Sequence, residues 1–232
     1  MKISMKKRKI GYTYGSVSGH YSFRKEKSIA FESTLERDLL ALLEFNSSVE
    51  DVVGQPITIE YENHNGRSVT YTPDFLIFFK EPNAELERVQ RKPLLIEVKP
   101  REKLKKNWCN LRNKYKIAVQ YARENDMLFK IYDERRIRTQ YLKNINFLKR
   151  YSRYEYPQED EDNILAYSNS VGNTSIEHIL EYLCISKDQK GVMLGHIWKL
   201  IFNKKLLCPL GDELNQQIEV WIDESIDVGE LQ

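Results

Sequence analysis

The feature that most constrains this 232-residue chain is a pair of short motifs, Thr-Pro-Asp-Phe at residues 72–75 and Ile-Glu-Val-Lys at residues 96–99. Each motif lies at one end of a run rich in β-branched and aromatic residues, which is the composition of a β-strand. If the two runs pair as antiparallel neighbours, Asp74 lies opposite about Val98, within one residue of Glu97. The sequence therefore predicts two carboxylates that meet across a pair of strands.

Alternation of side chains along a strand places Glu97 and Lys99 on the same face, while Val98 points to the other face. One face then carries the carboxylates of Asp74 and Glu97 and the ammonium of Lys99. Hard divalent cations bind oxygen ligands and keep positions open for water and substrate phosphate. We therefore expect Asp74 and Glu97, with the Val98 carbonyl as a further candidate, to bind Mg²⁺ or Mn²⁺. Lys99 can orient or deprotonate an attacking water.

A third acidic residue, Glu36, lies on a helix predicted over residues 31–45, where apolar residues recur at helical spacing. Glu36 aligns with leucines on this helix, which indicates that its carboxylate faces inward. A half-buried carboxylate needs a partner, and a metal ion or the Lys99 ammonium would provide one. Alternatively, Ser33 and Glu36 form a capping box, in which Glu36 only bonds back to the helix start. The residues leave both roles open.

Charge is distributed unevenly, although the formal net charge is only +2. Residues 91–150 contain eighteen Lys or Arg against six Asp or Glu, whereas residues 206–232 contain seven acidic and no basic residues. Such a basic stretch is typical of a surface that binds a polyanion, although a solvated helix face has the same composition. Contacts from the helix predicted over residues 101–125 to a phosphate backbone would set position rather than sequence choice. The candidates for these contacts are Arg101, Lys103, Lys105 and Lys106.

Periodicity and composition divide the chain into a basic N-terminal arm at residues 1–30, a first domain at residues 31–150 and a second at residues 163–232. The acidic residues 151–163 are the expected linker. The first domain is predicted to contain a helix, an antiparallel meander of three strands, a second helix and one more strand. The second domain is predicted to contain two helices and a small hairpin, which is typical of a winged-helix module. The predicted helices cover residues 31–45, 101–125, 174–184 and 189–203, and the predicted strands cover residues 57–61, 70–79, 93–99, 128–132, 206–208 and 218–222.

Four motifs follow one another along the first domain: Leu-Glu-Arg-Asp at residues 35–38, Val-Val-Gly-Gln-Pro at 52–56, Tyr-Thr-Pro-Asp-Phe at 71–75 and Ile-Glu-Val-Lys-Pro at 96–100. On these motifs the chain resembles the TnsA family of transposon end-cleaving endonucleases. The resemblance covers most of residues 30–135, and the C-terminal half is similar to the second domain of that family. It implies an α/β (α+β) fold with a restriction-endonuclease-like core of the PD-(D/E)xK type. That core is a mixed sheet flanked by helices, followed by a small C-terminal winged-helix-like domain.

The function implied by the resemblance is metal-dependent hydrolysis of the 5′ strands at transposon ends in double-stranded DNA. By this likeness Glu36, Asp74 and Glu97 bind the metal and Lys99 is catalytic. Family members with Gln at the position of Glu97 differ from this chain, which has an acid there. The implied partners are a TnsB-type transposase, which cuts and joins the 3′ ends, and a TnsC-type ATPase regulator. The alternatives are another nuclease with this core, such as a restriction or junction-resolving enzyme, and a non-catalytic DNA-binding or bridging subunit.

Cellular location and partner contacts are less tightly constrained. The chain has three scattered cysteines, and no segment resembles a signal peptide or a membrane span. We therefore expect a cytoplasmic protein without membrane association. The predicted helix at residues 189–203 carries few cations and is followed by an acidic tail, which favours protein contact over DNA contact for the second domain.

Overall fold

The computed structural model describes residues 17–62, 66–81 and 91–222. The chain forms two compact units, Met1–Arg138 and Thr139–Gln232. Within the described residues, no helix combines the length and the apolar composition needed to cross a membrane.

The first unit contains the sheet that carries both motifs. Its helices are α1 (Thr34–Phe45), α2 (Arg101–Glu124) and α3 (Glu134–Ile137), and its strands are β1 (Gly19–Phe23), β2 (Lys27–Phe31), β3 (Val49–Gly54), β4 (Ile59–Glu62), β5 (Ser68–Tyr71), β6 (Phe75–Phe79), β7 (Leu94–Val98) and β8 (Leu128–Tyr132). The main sheet has the order β3-β6-β7-β8, in which β7 and β8 are parallel and the other pairs are antiparallel. Because parallel neighbours need a long crossover, α2 connects β7 to β8. The mixed four-stranded sheet flanked by helices confirms the predicted fold class and is consistent with a restriction-endonuclease-like core.

The predicted three-strand meander is wrong. The run at residues 70–79 is divided into β5 and β6, and β5 pairs with β4 in a separate two-stranded sheet. Pro73 lies at the division, and a proline, which lacks an N–H donor, cannot continue a ladder of hydrogen bonds. The second neighbour of β6 is instead β3, a strand that the residue pattern did not predict.

The segment predicted as a basic arm contains an antiparallel hairpin of β1 and β2 in its described part, while residues 1–16 lie outside the described residues. Phe23 and Ile29 of this hairpin are buried. The Tyr21 hydroxyl donates a hydrogen bond to Glu44 Oε2 at 2.6 Å, which fastens the hairpin to α1. Residues 19–31 are thus part of the packed first unit.

Strand β7 forms the centre of the first unit and is buried at all of its positions. Leu95 and Ile96 have no exposed surface. Such a near-continuous apolar run is expected for a strand covered on both faces. Glu97 is the one acidic residue within this strand, and only 3% of its surface is exposed.

The second unit contains helices α4 (Gln140–Leu148), α5 (Gln158–Val171), α6 (Ile176–Leu183) and α7 (Lys187–Phe202) and strands β9 (Thr174–Ser175) and β10 (Glu219–Val220). The two helices predicted here are confirmed as α6 and α7. Residues 206–208 and 218–222, predicted as a hairpin, meet at one bridge between Leu207 and Trp221, and β10 pairs with β9.

The division between the units differs from the linker expected at residues 151–163. The acidic residues of that segment begin α5, whose first turn includes Glu159, Asp160 and Glu161. Carboxylates near a helix N-terminus are stabilised by the partial positive charge of the unpaired N–H groups there. An acidic, proline-containing segment can therefore mark the start of a helix as well as a linker.

Candidate active site

Strand pairing brings Asp74 next to Glu97. Phe75 lies opposite Ile96 in the β6–β7 ladder, so the residues one step further along are Asp74 and Glu97. The Asp74 N–H donates to the Ile96 carbonyl at 3.0 Å, and the Val98 N–H donates to Asp74 Oδ2 at 2.6 Å. The predicted meeting of the two acidic residues across antiparallel strands is confirmed.

Gln55 supports Asp74 from the other side, at the end of β3. Its N–H donates to the Asp74 carbonyl at 2.8 Å, and its side-chain amide donates to Glu32 Oε1 at 3.2 Å. Gln55 has φ 46°, in the left-handed region that non-glycine residues occupy uncommonly. The turn at Gln55 therefore contributes a backbone donor that fixes the position of Asp74.

Glu97 is surrounded by hydrogen-bond donors. The Tyr71 hydroxyl donates to Oε2 at 2.8 Å, while the Lys114 ammonium and the Tyr115 hydroxyl donate to Oε1 at 3.0 and 3.3 Å. Lys99 Nζ lies 3.8 Å from the same Oε1 atom. Burial of a carboxylate is unfavourable unless its oxygens are paired, and these donors satisfy that requirement.

Lys99 follows β7 directly, and its N–H donates to the Tyr132 carbonyl at 2.9 Å, which ties it to the end of β8. About one third of its side chain is exposed, 33%, so the ammonium can be reached from solvent. The ion pair with Glu97 confirms that the two side chains project from the same face.

Glu36 bonds back to the start of α1, as in the capping role that the sequence left open, although its carboxylate accepts from the Glu32 N–H rather than from that of Ser33. The Ser33 hydroxyl donates to Glu36 Oε1 at 2.7 Å, the Glu32 N–H donates to Oε2 at 2.8 Å, and the Glu36 N–H donates to Ser33 Oγ at 3.2 Å. Burial raises the pKa of Glu36, and repulsion from Glu32 and Glu97 acts in the same direction. Glu36 thus closes the start of α1 while lying close enough to the site to interact with Glu97.

The carboxylates repel one another. Burial raises the pKa of Asp74 well above its usual range, and the charges of Glu97 and Glu36 raise it further. The hydrogen bond from the Val98 N–H and the charge of Lys99 act against this shift. A site with this surplus of negative charge favours a bound cation.

The donor groups at the site determine which metal ion it could bind. Among the described residues, no three His, Cys, Asp or Glu side chains converge closely enough to hold a metal ion. The chemistry of the donors nevertheless suits a hard divalent cation, because the carboxylates of Asp74 and Glu97 and the Val98 carbonyl are all oxygen ligands. The donor types fit Mg²⁺ or Mn²⁺, although the carboxylates are bonded to protein donors in this arrangement.

The four basic residues predicted to contact a phosphate backbone divide into two groups. Lys103, Lys105 and Lys106 are exposed on α2. Arg101 instead donates to Asp133 Oδ2 at 3.1 Å, and its N–H donates to Glu134 Oε2 at 2.9 Å. Arg101 therefore fastens the start of α2 to the residues after β8.

Three residues around Glu97 were not predicted as part of the site: Tyr71, Lys114 and Tyr115. In the sequence, Tyr115 lies among the apolar positions of α2, which is the pattern of a core residue, and Lys114 is one of many cations on that helix. Tyr71 precedes the Thr-Pro-Asp-Phe motif directly, which was the one available signal. Which helix residues reach Glu97 depends on how α2 packs against the sheet, and helical periodicity alone does not give that.

Two family models match the chain. The model described as TnsA-like endonuclease N terminal matches residues 46–134, and the model described as TnsA endonuclease C terminal matches residues 136–210. The chain belongs to the TnsA endonuclease family. Asp74, Glu97 and Lys99 lie within the first match, whereas Glu36 precedes it. A sequence comparison with curated proteins found no match.

Membership of the TnsA family identifies the chain as an endonuclease of a Tn7-like transposition system, with DNA as its substrate. The two matches meet near residue 135, close to the division between the units at Arg138 and Thr139. The Thr-Pro-Asp-Phe and Ile-Glu-Val-Lys motifs of this TnsA chain thus lie in the first unit, and a second unit follows them.

Proposed function

We propose that this TnsA chain hydrolyses the 5′ strands at transposon ends in a metal-dependent reaction, alongside a TnsB-type transposase and a TnsC-type ATPase regulator. The observation that carries the proposal is the convergence of Asp74, Glu97 and Lys99 at one end of the β6–β7 pair. Two acidic residues with an adjacent lysine can bind a divalent cation and activate a water, which suits metal-dependent phosphodiester hydrolysis.

The metal would be held by Asp74 and Glu97, with the Val98 carbonyl and Glu36 as further oxygen ligands. When bound, the cation supplies positive charge that stabilises the charge developing on the phosphate oxygens. The protein fixes these ligands through backbone bonds: Asp74 is held by the N–H of Val98 and the carbonyl of Ile96. Such rigid placement supports hydrolysis, because a misplaced ligand weakens transition-state stabilisation.

Lys99 would orient the attacking water or take its proton. Its Nζ lies on the face of Glu97, and its backbone is fixed by the bond to Tyr132. DNA would be positioned by backbone contacts with the exposed Lys103, Lys105 and Lys106 on α2, which begins two residues after Lys99. In this proposal Arg101 supports the helix rather than the DNA, because its guanidinium is paired with Asp133.

The second unit, which we propose is a winged-helix-like domain, would contact the partner proteins. Large apolar side chains are exposed around the turn between α6 and α7: Tyr182 is 68% exposed, Ile185 100% and Val192 57%. Surfaces that bind other proteins are less polar and less positively charged than surfaces that bind DNA, so exposed apolar side chains are more typical of protein contact. This supports protein contact over DNA contact for that part of the second unit.

A non-catalytic bridging subunit is the second candidate, and one observation favours it. Glu36 is hydrogen-bonded to the start of α1 and Glu97 is paired with lysines, so both acidic residues also stabilise the fold. The grouping of Asp74, Glu97 and Lys99 supports the nuclease, because a bridging subunit has no need of mutually repelling buried carboxylates.

The test is strand-specific cleavage of transposon-end DNA by the reconstituted transposition proteins with Mg²⁺, comparing wild type with Lys99→Met. Lys116→Met is the matched control, since Lys116 is an exposed cation of α2. The proposal predicts loss of the 5′-strand cut for Lys99→Met, with 3′ cutting retained. Unchanged 5′ cutting in Lys99→Met would instead favour the bridging role.

A further inference from the structure

The side-chain ammonium of Lys114 is largely buried beside the candidate active site. Its side chain is 18% exposed, and its Nζ lies 3.0 Å from Glu97 Oε1. It projects from α2, 17 residues along the chain from Glu97. None of the motifs that define the site includes this residue.

Two aromatic rings complete the surroundings of Lys114. Its Nζ lies 4.4 Å from the ring centroid of Tyr71 and 4.9 Å from that of Tyr115. Cations near aromatic faces are stabilised by the ring quadrupole, more so when water is excluded. The hydroxyls of the same two tyrosines donate to Glu97. Lys114, Tyr71 and Tyr115 therefore form one group around the carboxylate, which we term the Glu97 cage.

The Glu97 cage occupies both oxygens of Glu97: Oε2 accepts from Tyr71, and Oε1 accepts from Lys114 and Tyr115. Among the described residues no three potential ligand side chains come together as a metal site. The caged Glu97 is thus bonded to a protein cation through Oε1, an oxygen that would also be a candidate ligand for a metal ion.

We propose that Lys114 is a resident cation of the active site, which pairs with Glu97 in the metal-free protein and competes with the divalent metal for that carboxylate. This inference rests on the proposed nuclease function and specifies how its metal site is controlled. Lys114 acts through Glu97, so it is a positioning residue. A protein cation that is displaced on loading keeps the buried acids neutralised before DNA and metal arrive.

Competition has a measurable consequence. Removing the Lys114 charge takes away both the bond that must be broken and the repulsion between the ammonium and the incoming metal, so the metal binds more tightly. We expect Lys114→Met, which preserves an unbranched apolar stem, to lower the dissociation constant for Mn²⁺ about tenfold or more. The same variant should lower the melting temperature of the metal-free protein, because Glu97 loses the nearer of the two lysines that pair with it.

The experiment is a titration of the full chain with Mn²⁺ in the absence of DNA. Electron paramagnetic resonance measures the free Mn²⁺, and calorimetry measures the heat of binding. Lys114→Arg retains the charge and should keep the affinity close to that of wild type. Lys116→Met removes an exposed charge from the same helix and should also leave the affinity unchanged. Lys114→Gln provides a second neutral variant, and circular dichroism verifies that each variant is folded.

Tighter Mn²⁺ binding by the neutral variants, with Lys114→Arg near wild type, supports the resident cation. Equal or weaker Mn²⁺ binding by folded Lys114→Met and Lys114→Gln overturns the resident cation. In that case the proposed function would still stand if wild type binds Mn²⁺ and Asp74→Ala abolishes that binding. If wild type shows no Mn²⁺ binding that depends on Asp74, both the resident cation and the metal-dependent function fail.

Discussion

Removing the hydroxyl of Tyr71 should measurably destabilise the protein, because that hydroxyl bonds a buried carboxylate. The hydrogen bond to Glu97 Oε2 is 2.8 Å long, Tyr71 is 5% exposed and Glu97 is 3% exposed. Hydrogen bonds to charged groups contribute roughly 1.5–3 kcal/mol to stability. Tyr71→Phe keeps the ring and leaves Oε2 without this donor, so the free energy of unfolding should fall by about 2 kcal/mol.

The assay is urea unfolding of the full chain, followed by circular dichroism, with Tyr71→Phe compared with Tyr115→Phe. The Tyr115 hydroxyl lies 3.3 Å from Oε1, which Lys114 also bonds, so its loss should cost less than about 1 kcal/mol. In a double-mutant cycle with Glu97→Gln, Tyr71 and Glu97 should show a coupling energy of about 1–2 kcal/mol. The expected contribution of the Tyr71 hydrogen bond would be contradicted if Tyr71→Phe were as stable as wild type, or if Tyr115→Phe were less stable than Tyr71→Phe.

Three further changes test the fold around the site and the second unit. Ser33→Ala removes the cap that accepts the Glu36 N–H, and the free energy of unfolding should fall by about 1 kcal/mol in denaturant titrations. Ser33→Thr keeps a hydroxyl that can accept from the Glu36 N–H and donate to the Glu36 carboxylate, so it should retain most of the stability. Ile96→Ala empties a fully buried position of the central strand and should cost about 2–5 kcal/mol by the same measurement, and a cost below about 1 kcal/mol would contradict the burial of β7. Burial lowers the pKa of His196 despite the hydrogen bond to Glu161. The neutral imidazole therefore contributes stability above the usual histidine pKa, and this contribution is lost as the pH falls through the lower pKa that His196 has in the folded protein. Unfolding measured between pH 7 and pH 5 should therefore show a weaker pH dependence in His196→Phe than in wild type, and an identical dependence would contradict this.

The local sequence pattern was sufficient to predict a residue's neighbours where those neighbours are close in sequence or are determined by strand register. Asp74 lies near the start of one predicted strand and Glu97 near the end of the next, and antiparallel pairing of those strands brings such positions together, as the structure shows. The same logic placed Lys99 on the face of Glu97. Helix periodicity located α1 and α2, and β8 matches the predicted strand.

Long-range partners could not be predicted from local pattern. Strand β3 was not predicted, because this short segment with two acidic residues shows no clear alternation of polar and apolar residues, and its strand character depends on pairing with β6. Lys114 looks like any other cation of α2 in the sequence, and its contact with Glu97 arises from the way that helix packs over the sheet. The dual character of Glu36, as helix cap and as a neighbour of the acidic pair, likewise depends on tertiary packing.

The most direct test of the nuclease assignment is the cleavage of transposon-end DNA labelled separately on each strand, with the partner proteins and Mg²⁺, by wild type and Asp74→Ala. Glu60→Ala is the matched control, since Glu60 is an exposed acid on β4 of the same unit. We expect Asp74→Ala to lose the 5′-strand cut and to retain the 3′ cut, while Glu60→Ala should support cutting of both strands. Retention of both cuts by Asp74→Ala would contradict the proposed active site.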